Sequence, residues 1–139
     1  MSKLDRVVSG CVAAALLGAP AFAHHSGAMY DRQKTVTVSG TVKQFLYVQP
    51  HSWIDVVSVG ADGQQTEWSF EAGTPGQMKM VGLAPSTLKA GDKVTIKGYP
   101  LRDGRHGGAF LQITMPDGKV IVTGRKPPPE QTSAPAPAS

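Results

Sequence analysis

A run of alternating residues from Thr35 to Val42 does most to constrain what this chain can fold into. Its valines occur at alternate positions with polar residues between them, a period of two that is typical of a strand with one buried face. Gly40 interrupts the run, and a glycine inside a strand predicts a bulge or a sharp bend, as barrel corners need. We therefore expect a long, bent first strand that continues to Pro50, which cannot donate a ladder hydrogen bond.

The remaining strand-like runs are short and are separated by turn residues. They span Trp53–Val59, Gln65–Glu71, Lys93–Gly98, Ala109–Met115 and Val120–Val122. Asp62 and Gly63 lie between the second and third runs and are typical of a hairpin turn. Thr74 followed by Pro75 is typical of a helix start, with threonine as the N-cap and proline in the first turn. The sequence thus predicts one short helix over residues 75–81.

The order strand–strand–strand–helix–strand–strand, with a bent first strand, predicts the fold class. We expect an all-β protein with one short helix, namely an OB-fold-like barrel of five or six antiparallel strands in which the helix plugs the barrel. A meander sandwich is the alternative. The alternation within the runs predicts an inward-facing core that includes Val38, Trp68, Val94, Ile96 and Ile113.

Composition divides the 139-residue chain into four parts. Residues 1–23 have the pattern of a cleaved signal peptide, with a short positive start, an apolar run and the cleavage site Ala21-Phe22-Ala23. Residues 24–34 form a leader, residues 35–124 the barrel domain, and residues 125–139 a Pro/Ala-rich tail that we expect to be disordered. The sequence therefore predicts a periplasmic protein.

The apolar run of the signal peptide and the charge of the chain exclude two classes of partner. The run from Cys11 to Leu17 is too short to span a bilayer, which argues against an uncleaved anchor and predicts no stable membrane insertion. The whole chain has a net charge of +4, and the signal peptide holds one unit of it. The remaining positive residues are scattered, so we expect no nucleic-acid partner.

Histidines at the start of the predicted mature chain indicate a metal site. Cleavage after Ala23 makes His24 the first residue, so that its α-amine and imidazole can chelate one cation together. His25 follows directly, and His51 lies at the corner marked by Pro50. Because Cys11 is the only cysteine and lies in the signal peptide, the ligands are nitrogen atoms, which suit copper as Cu(II). The alternative is that the leader has no role and that His51 is a histidine at the barrel rim whose hydrogen bonds are made by neighbouring residues.

Two other functions remain open from the residues alone. The first is an OB-type binding module for a non-metal ligand, a glycan or a peptide, with a stacking face built from Trp53, Trp68, Tyr47 and Tyr99. The second is an enzyme that uses Ser52 with His51, or the carboxylates Asp55, Glu67 and Glu71. Adjacent strand residues point to opposite faces, so Ser52 and His51 make a poor nucleophile–base pair. The sequence therefore predicts a protein that is not an enzyme.

Several motifs together resemble one family. They are His24-His25-Ser26, Tyr30-Asp31, Gly40-Thr41-Val42, Pro50-His51-Ser52-Trp53, Leu88-Lys89-Ala90-Gly91-Asp92 and Pro116-Asp117-Gly118-Lys119. This combination resembles the DUF6152 family, small exported bacterial proteins of uncharacterised function, over roughly residues 24–122. Gln49 stands where the family usually has an asparagine before Pro-His. The resemblance implies no activity, and it directs attention to His24, His25 and His51.

Overall fold

The computed structural model describes residues 27–125. The predicted signal peptide, His24, His25 and the tail from residue 126 lie outside the described residues. The elements are β1 (Val36–Leu46), β2 (Trp53–Val59), β3 (Gln65–Glu71), α1 (Pro75–Met80), β4 (Lys93–Pro100), β5 (Gly107–Thr114) and β6 (Val120–Val122). Between residues 27 and 125, no helix combines the length and apolar character needed to cross a bilayer.

The strands form one sheet in the order β3-β2-β1-β4-β5-β6. A further pairing between β3 and β5 closes the first five strands into a barrel. This strand order, with the helix between β3 and β4, is that of an OB-fold, and the predicted fold class is confirmed. One pairing differs from the expected antiparallel arrangement, because Ser69–Glu71 and Gly107–Ala109 run parallel. The helical crossover between β3 and β4 lets β5 return in the direction of β3.

Strand β1 belongs to both halves of the barrel, as expected for a long strand that bends at Gly40. Residues 36–41 pair with β4, and residues 41–46 pair with β2. Gly40 lies at the change of partner, where a Cβ atom would come within 2.6 Å of the Val57 carbonyl oxygen. Only glycine therefore lets the two backbones approach this closely. A register shift between Val42 and Gln44 adds a bulge directly after the bend.

Four of the five predicted core residues are buried inside the barrel. They are Val38, Val94, Ile96 and Ile113. The prediction for Trp68 needs a correction, because its side chain is only half-buried and packs against the core from the edge. Phe70 is fully buried and takes the central position on the same strand face. The Trp68 ring stacks on Phe70 at 6.2 Å and contacts the exposed His106 at 5.0 Å between centroids.

Helix α1 covers one end of the barrel, and its start follows the predicted capping chemistry. Thr74 and Gln77 form a capping box, in which each side chain accepts a hydrogen bond from the other residue's backbone N–H. Met78 is buried against the core, and Gly82 has a φ of +92° just after the helix ends. Local hydrogen bonds therefore fix the start of α1 shortly after β3 ends.

Candidate functional site

The leader is fixed to the barrel by backbone pairing before β1 begins. Tyr30 forms an isolated antiparallel bridge with Leu101, just beyond the end of β4. Its neighbours contribute hydrogen bonds from Asp31 N to Pro100 O (2.9 Å), from Arg102 N to Met29 O (2.9 Å) and from Arg102 Nε to Ala28 O (3.2 Å). The side chain of Tyr30 is consequently buried, although it belongs to a segment outside the six strands.

Glu71, the last residue of β3, joins His51 to Tyr30. His51 Nδ1 lies 2.5 Å from Glu71 Oε1, and the Tyr30 hydroxyl donates to Glu71 Oε2. The Glu71 side chain is 12% exposed and that of His51 is 39% exposed. Both oxygens of the carboxylate are thus engaged, by side chains from the leader and from the corner before β2.

Backbone pairing explains why His51 meets Glu71. Trp53 is the register partner of Glu71 across β2 and β3. The ladder continues beyond the strand ends, since Ala72 N donates to Ser52 O (2.8 Å) and Ser52 N donates to Gly73 O (2.9 Å). The residue before Ser52 is therefore held beside the end of β3.

The contact with Glu71 determines which nitrogen of His51 has the proton. A carboxylate oxygen only accepts hydrogen bonds, so Nδ1 must be the donor. In the neutral ring this leaves a lone pair on Nε2, which is available to a ligand. Histidines that bind metals typically donate their other ring N–H to a carboxylate in this way, which fixes the ring orientation and makes the ligating nitrogen more basic.

Tyr30 remains a neutral donor well into the alkaline range. Burial is the main cause that raises the pKa of its phenol above the ordinary value of 10.0, and the hydrogen bond to Glu71 and the charge of that carboxylate raise the pKa further. Loss of the proton from Tyr30 would leave two like charges side by side in a poorly solvated place. The phenol therefore acts as a lasting hydrogen-bond donor to Glu71.

These side chains open onto a small cavity of about 180 Å³. His51, Glu71 and Tyr30 line it together with Gly27, the first described residue of the leader, and with Arg32 and Arg125. The cavity is thus bounded by the leader, by the corner before β2, by the end of β3 and by the segment after β6. It brings together charged and hydrogen-bonding groups that are distant in sequence.

The structure includes one of the three predicted metal ligands. His51 lines the cavity, whereas His24 and His25 lie outside the described residues. Within residues 27–125, no three residues among histidine, cysteine, aspartate and glutamate are grouped so that they could hold a metal ion. Contacts of His51 with Glu71 and of Glu71 with Tyr30 were not predicted from the sequence. The Tyr30-Asp31 motif is the sequence signal that could have identified Tyr30 as a site residue. For Glu71, the signal is the predicted pairing of the second and third strands.

Three residues considered for acid–base or nucleophilic chemistry are buried or are bonded to neighbouring side chains. Ser52 is fully buried, and its Oγ has no hydrogen-bond partner among the described residues, so it is not bonded to His51. Asp55 accepts hydrogen bonds from Gln44 Nε2 (2.6 Å) and Ser69 Oγ (2.5 Å). Glu67 forms an exposed ion pair with Lys43 at 2.8 Å.

Two aromatic residues of the hypothetical stacking face are used for packing. Tyr99 is buried in a small second cluster with Tyr30, Ala109 and Leu111. The hydroxyl of Tyr47 donates to the Pro75 carbonyl at the start of α1, and its ring meets Phe45 edge-on at 5.5 Å. A continuous platform of Trp53, Trp68, Tyr47 and Tyr99 is therefore not present.

Comparison with known proteins identifies the family. None of the curated proteins matches the chain. A solved structure with a similar arrangement is that of the mitochondrial single-stranded DNA binding protein Rim1 from S. cerevisiae, which is 12% identical, covers 59% of this chain and 92% of its own, and gives a TM-score of 0.47. The model of the family of unknown function DUF6152 matches residues 12–111, well over half of the chain, which confirms the resemblance of the motifs. The chain therefore belongs to DUF6152.

Proposed function

We propose that this protein is an exported, periplasmic β-barrel that binds copper through His24, His25 and His51. The observation that supports the proposal most directly is the 2.5 Å contact between His51 Nδ1 and Glu71 Oε1. It leaves Nε2 of His51 as the free nitrogen, as a metal ligand requires. Tyr30 holds the second oxygen of Glu71, so the carboxylate supports the histidine and is not itself needed as a ligand.

The position of the leader supports the participation of the two N-terminal histidines. Gly27 lines the same cavity as His51, and His25 and His24 precede it by two and three residues. A residue spans at most about 3.6 Å of extended chain, so a segment of three residues can extend up to roughly 11 Å from Gly27. The length of the chain before Gly27 therefore permits both histidines to reach the cavity.

The donor set favours copper over the other common divalent cations. An α-amine and two or three imidazoles supply only nitrogen, whereas Ca²⁺ and Mg²⁺ prefer oxygen. Cu²⁺ also has the highest affinity of the divalent first-row metals for such ligands. Cleavage after Ala23 is part of the proposal, because the amine exists only when His24 is the first residue.

Copper titration of the mature protein, followed by electron paramagnetic resonance, tests this function. The protein is purified without a tag from the periplasmic fraction, and its intact mass must correspond to a chain that starts at His24. We compare the wild type with His51→Ala, with a variant that has one extra glycine before His24, and with His106→Ala. His106 is the exposed fourth histidine and does not line the cavity, so it is the matched control.

We expect the wild type and His106→Ala to bind one Cu(II) with the same nitrogen-rich spectrum. His51→Ala removes one ligand and should weaken binding at least about tenfold, since a lost metal ligand matters no less than its supporting partner. The extra glycine moves the α-amine away from the His24 ring, so the two no longer chelate as one residue, and it should change the spectrum. Equal affinities and spectra in all four proteins would rule out the copper site. In that case the OB-type module for a glycan or a peptide becomes the better description.

A further inference from the structure

We infer that the cavity beside His51 also binds a small oxyanion with two negative charges, held by Arg32 and Arg125. This inference goes beyond the proposed copper site and does not depend on it. It concerns two guanidinium groups that line one small cavity from opposite ends of the described chain, one from the leader and one from the segment after β6.

The inference rests on the balance of charge in the cavity. Arg32 and Arg125 line it together with a single carboxylate, that of Glu71. Both oxygens of Glu71 are already engaged by His51 and Tyr30. Within residues 27–125, neither arginine forms an ion pair with a carboxylate. Among the described residues, the cavity thus has two guanidinium groups and one carboxylate, which His51 and Tyr30 already contact.

Elementary electrostatics makes an anion the natural complement of such a cavity. Two guanidinium groups that line one cavity repel each other, and an anion between them would remove this repulsion. Each planar guanidinium presents paired N–H donors that match two oxygens of a carboxylate or a phosphate. Tyr30 stays protonated and adds no opposing negative charge, because burial and Glu71 raise the pKa of its phenol.

The leader is shaped to admit the guanidinium of Arg32. Gly27 has no side chain, and a Cβ atom at that position would lie 3.0 Å from Arg32 Nη2. A side chain at that position would require the guanidinium to shift by a few tenths of an ångström. The glycine therefore leaves the space in which Arg32 lies beside the cavity.

The size of the cavity limits the ligand. Its volume of about 180 Å³ is below the roughly 300–1,000 Å³ of pockets that hold drug-sized ligands. A nucleotide or an oligosaccharide is too large, whereas inorganic phosphate or a short dicarboxylate fits. These anions have the same chemistry, namely two negative charges on oxygens that can each pair with a guanidinium.

Anion titration of the metal-free protein tests the inference. The full-length sequence is expressed, and the protein is purified in the form that the cells produce. Metal is removed with a chelator, and the chelator is then removed. Phosphate and malonate are titrated separately at constant ionic strength, by calorimetry and by amide chemical shifts. Arg32→Gln and Arg125→Gln are compared with Lys93→Gln, which removes the same charge from a surface outside this cavity. Circular dichroism verifies that each variant is folded.

We expect saturable binding of one anion by the wild type and by Lys93→Gln, with shifts at Gly27 and Gly73. Each arginine variant should bind at least about tenfold more weakly, as the loss of a hydrogen-bonded charge pair implies. If an arginine-to-glutamine variant is unfolded, Arg→Lys at the same position is used instead. It should also weaken binding, because lysine lacks the paired N–H donors of the planar guanidinium. The anion that binds more tightly, phosphate or malonate, shows whether the natural ligand is a phosphate or a dicarboxylate.

Two results would overturn the inference. One is the lack of saturable binding of both probes by the folded wild type. The other is equal weakening by Lys93→Gln and the arginine variants, which would mean that only the net charge matters. Because copper is absent throughout, either result leaves the copper proposal to its own test.

Discussion

Glu71 is the residue on which the candidate site depends, because among residues 27–125 it alone is bonded to both His51 and Tyr30. The hydrogen bond from Tyr30 lasts only while the phenol keeps its proton, since a carboxylate oxygen only accepts hydrogen bonds. The two donors come from segments 21 positions apart in sequence. The site is therefore sensitive to the protonation of Tyr30, and this sensitivity is measurable.

The unfolding free energy of the wild type should fall as the pH rises above about 10. The pKa of Tyr30 is raised in the folded state above its ordinary value of 10.0. Above that pH the unfolded chain releases the proton while the folded protein retains it, so the contribution of Tyr30 is complete below pH 10 and is lost above it. Urea denaturation at several alkaline pH values should show a smaller fall for Tyr30→Phe.

Tyr47→Phe is the control for this pH dependence, because it also removes a phenolic hydrogen bond, the one to Pro75. We expect it to lower the unfolding free energy and to leave the alkaline fall as steep as in the wild type. An equally steep fall in Tyr30→Phe would contradict the role given to Tyr30.

At the scale of elements, the bend of β1 determines whether a barrel can form. The strand leaves β4 and joins β2 within one residue of Gly40, where the backbone of Val57 occupies the position of a side chain. Most of this architecture was predictable from sequence, because the period of two, Asp62-Gly63 and Thr74-Pro75 are local features. The bounds of β2, β3 and β6 agree with the predicted runs for this reason.

Gly40→Ala should destabilise the protein by about 1–3 kcal/mol, the usual cost of forcing extra atoms into a packed site. The added Cβ would lie 2.6 Å from the Val57 carbonyl oxygen, so the two strands would have to separate. Gly124→Ala is the matched control, since nothing lies within 4 Å of its Cβ position and its φ is not in the left-handed region. Chemical denaturation compares the two, and equal stabilities would show that the bend tolerates a side chain.

At the scale of the whole molecule, the site depends on pairings between distant segments. The parallel pairing of β3 with β5 joins residues 69–71 to residues 107–109, and no local pattern in either strand indicates its direction. The half-buried position of Trp68 follows from the same closure, since Phe70 fills the centre where Gly98 and Gly108 leave space. The elements and the position of His51 at the corner before β2 were therefore predictable from the sequence, but the contacts that Glu71 makes were not.

Removal of the tail after Pro127 should leave the melting temperature unchanged. The last strand of the sheet ends at Val122, with Ile121 buried against the core, so the tail is not needed for the barrel. Calorimetry of the full and shortened chains measures the difference. A longer deletion that also removes β6 is the comparison, and it should lower the melting temperature because it exposes core residues. A clear loss with the short deletion would mean that the tail packs against the barrel.

The parallel pairing has a further consequence, because Glu71 itself is paired with Ala109 across it. The closure of the barrel and the cluster around His51 therefore share one residue. A barrel that transiently opens along this line would separate Glu71 from β5 and disturb the cavity. Any ligand held in the cavity must then slow the opening, since it binds only the closed form. Hydrogen exchange at the amide of Ser69, which donates to the His106 carbonyl beside β5 (3.4 Å), would thus report on occupancy of the cavity, whatever the ligand is.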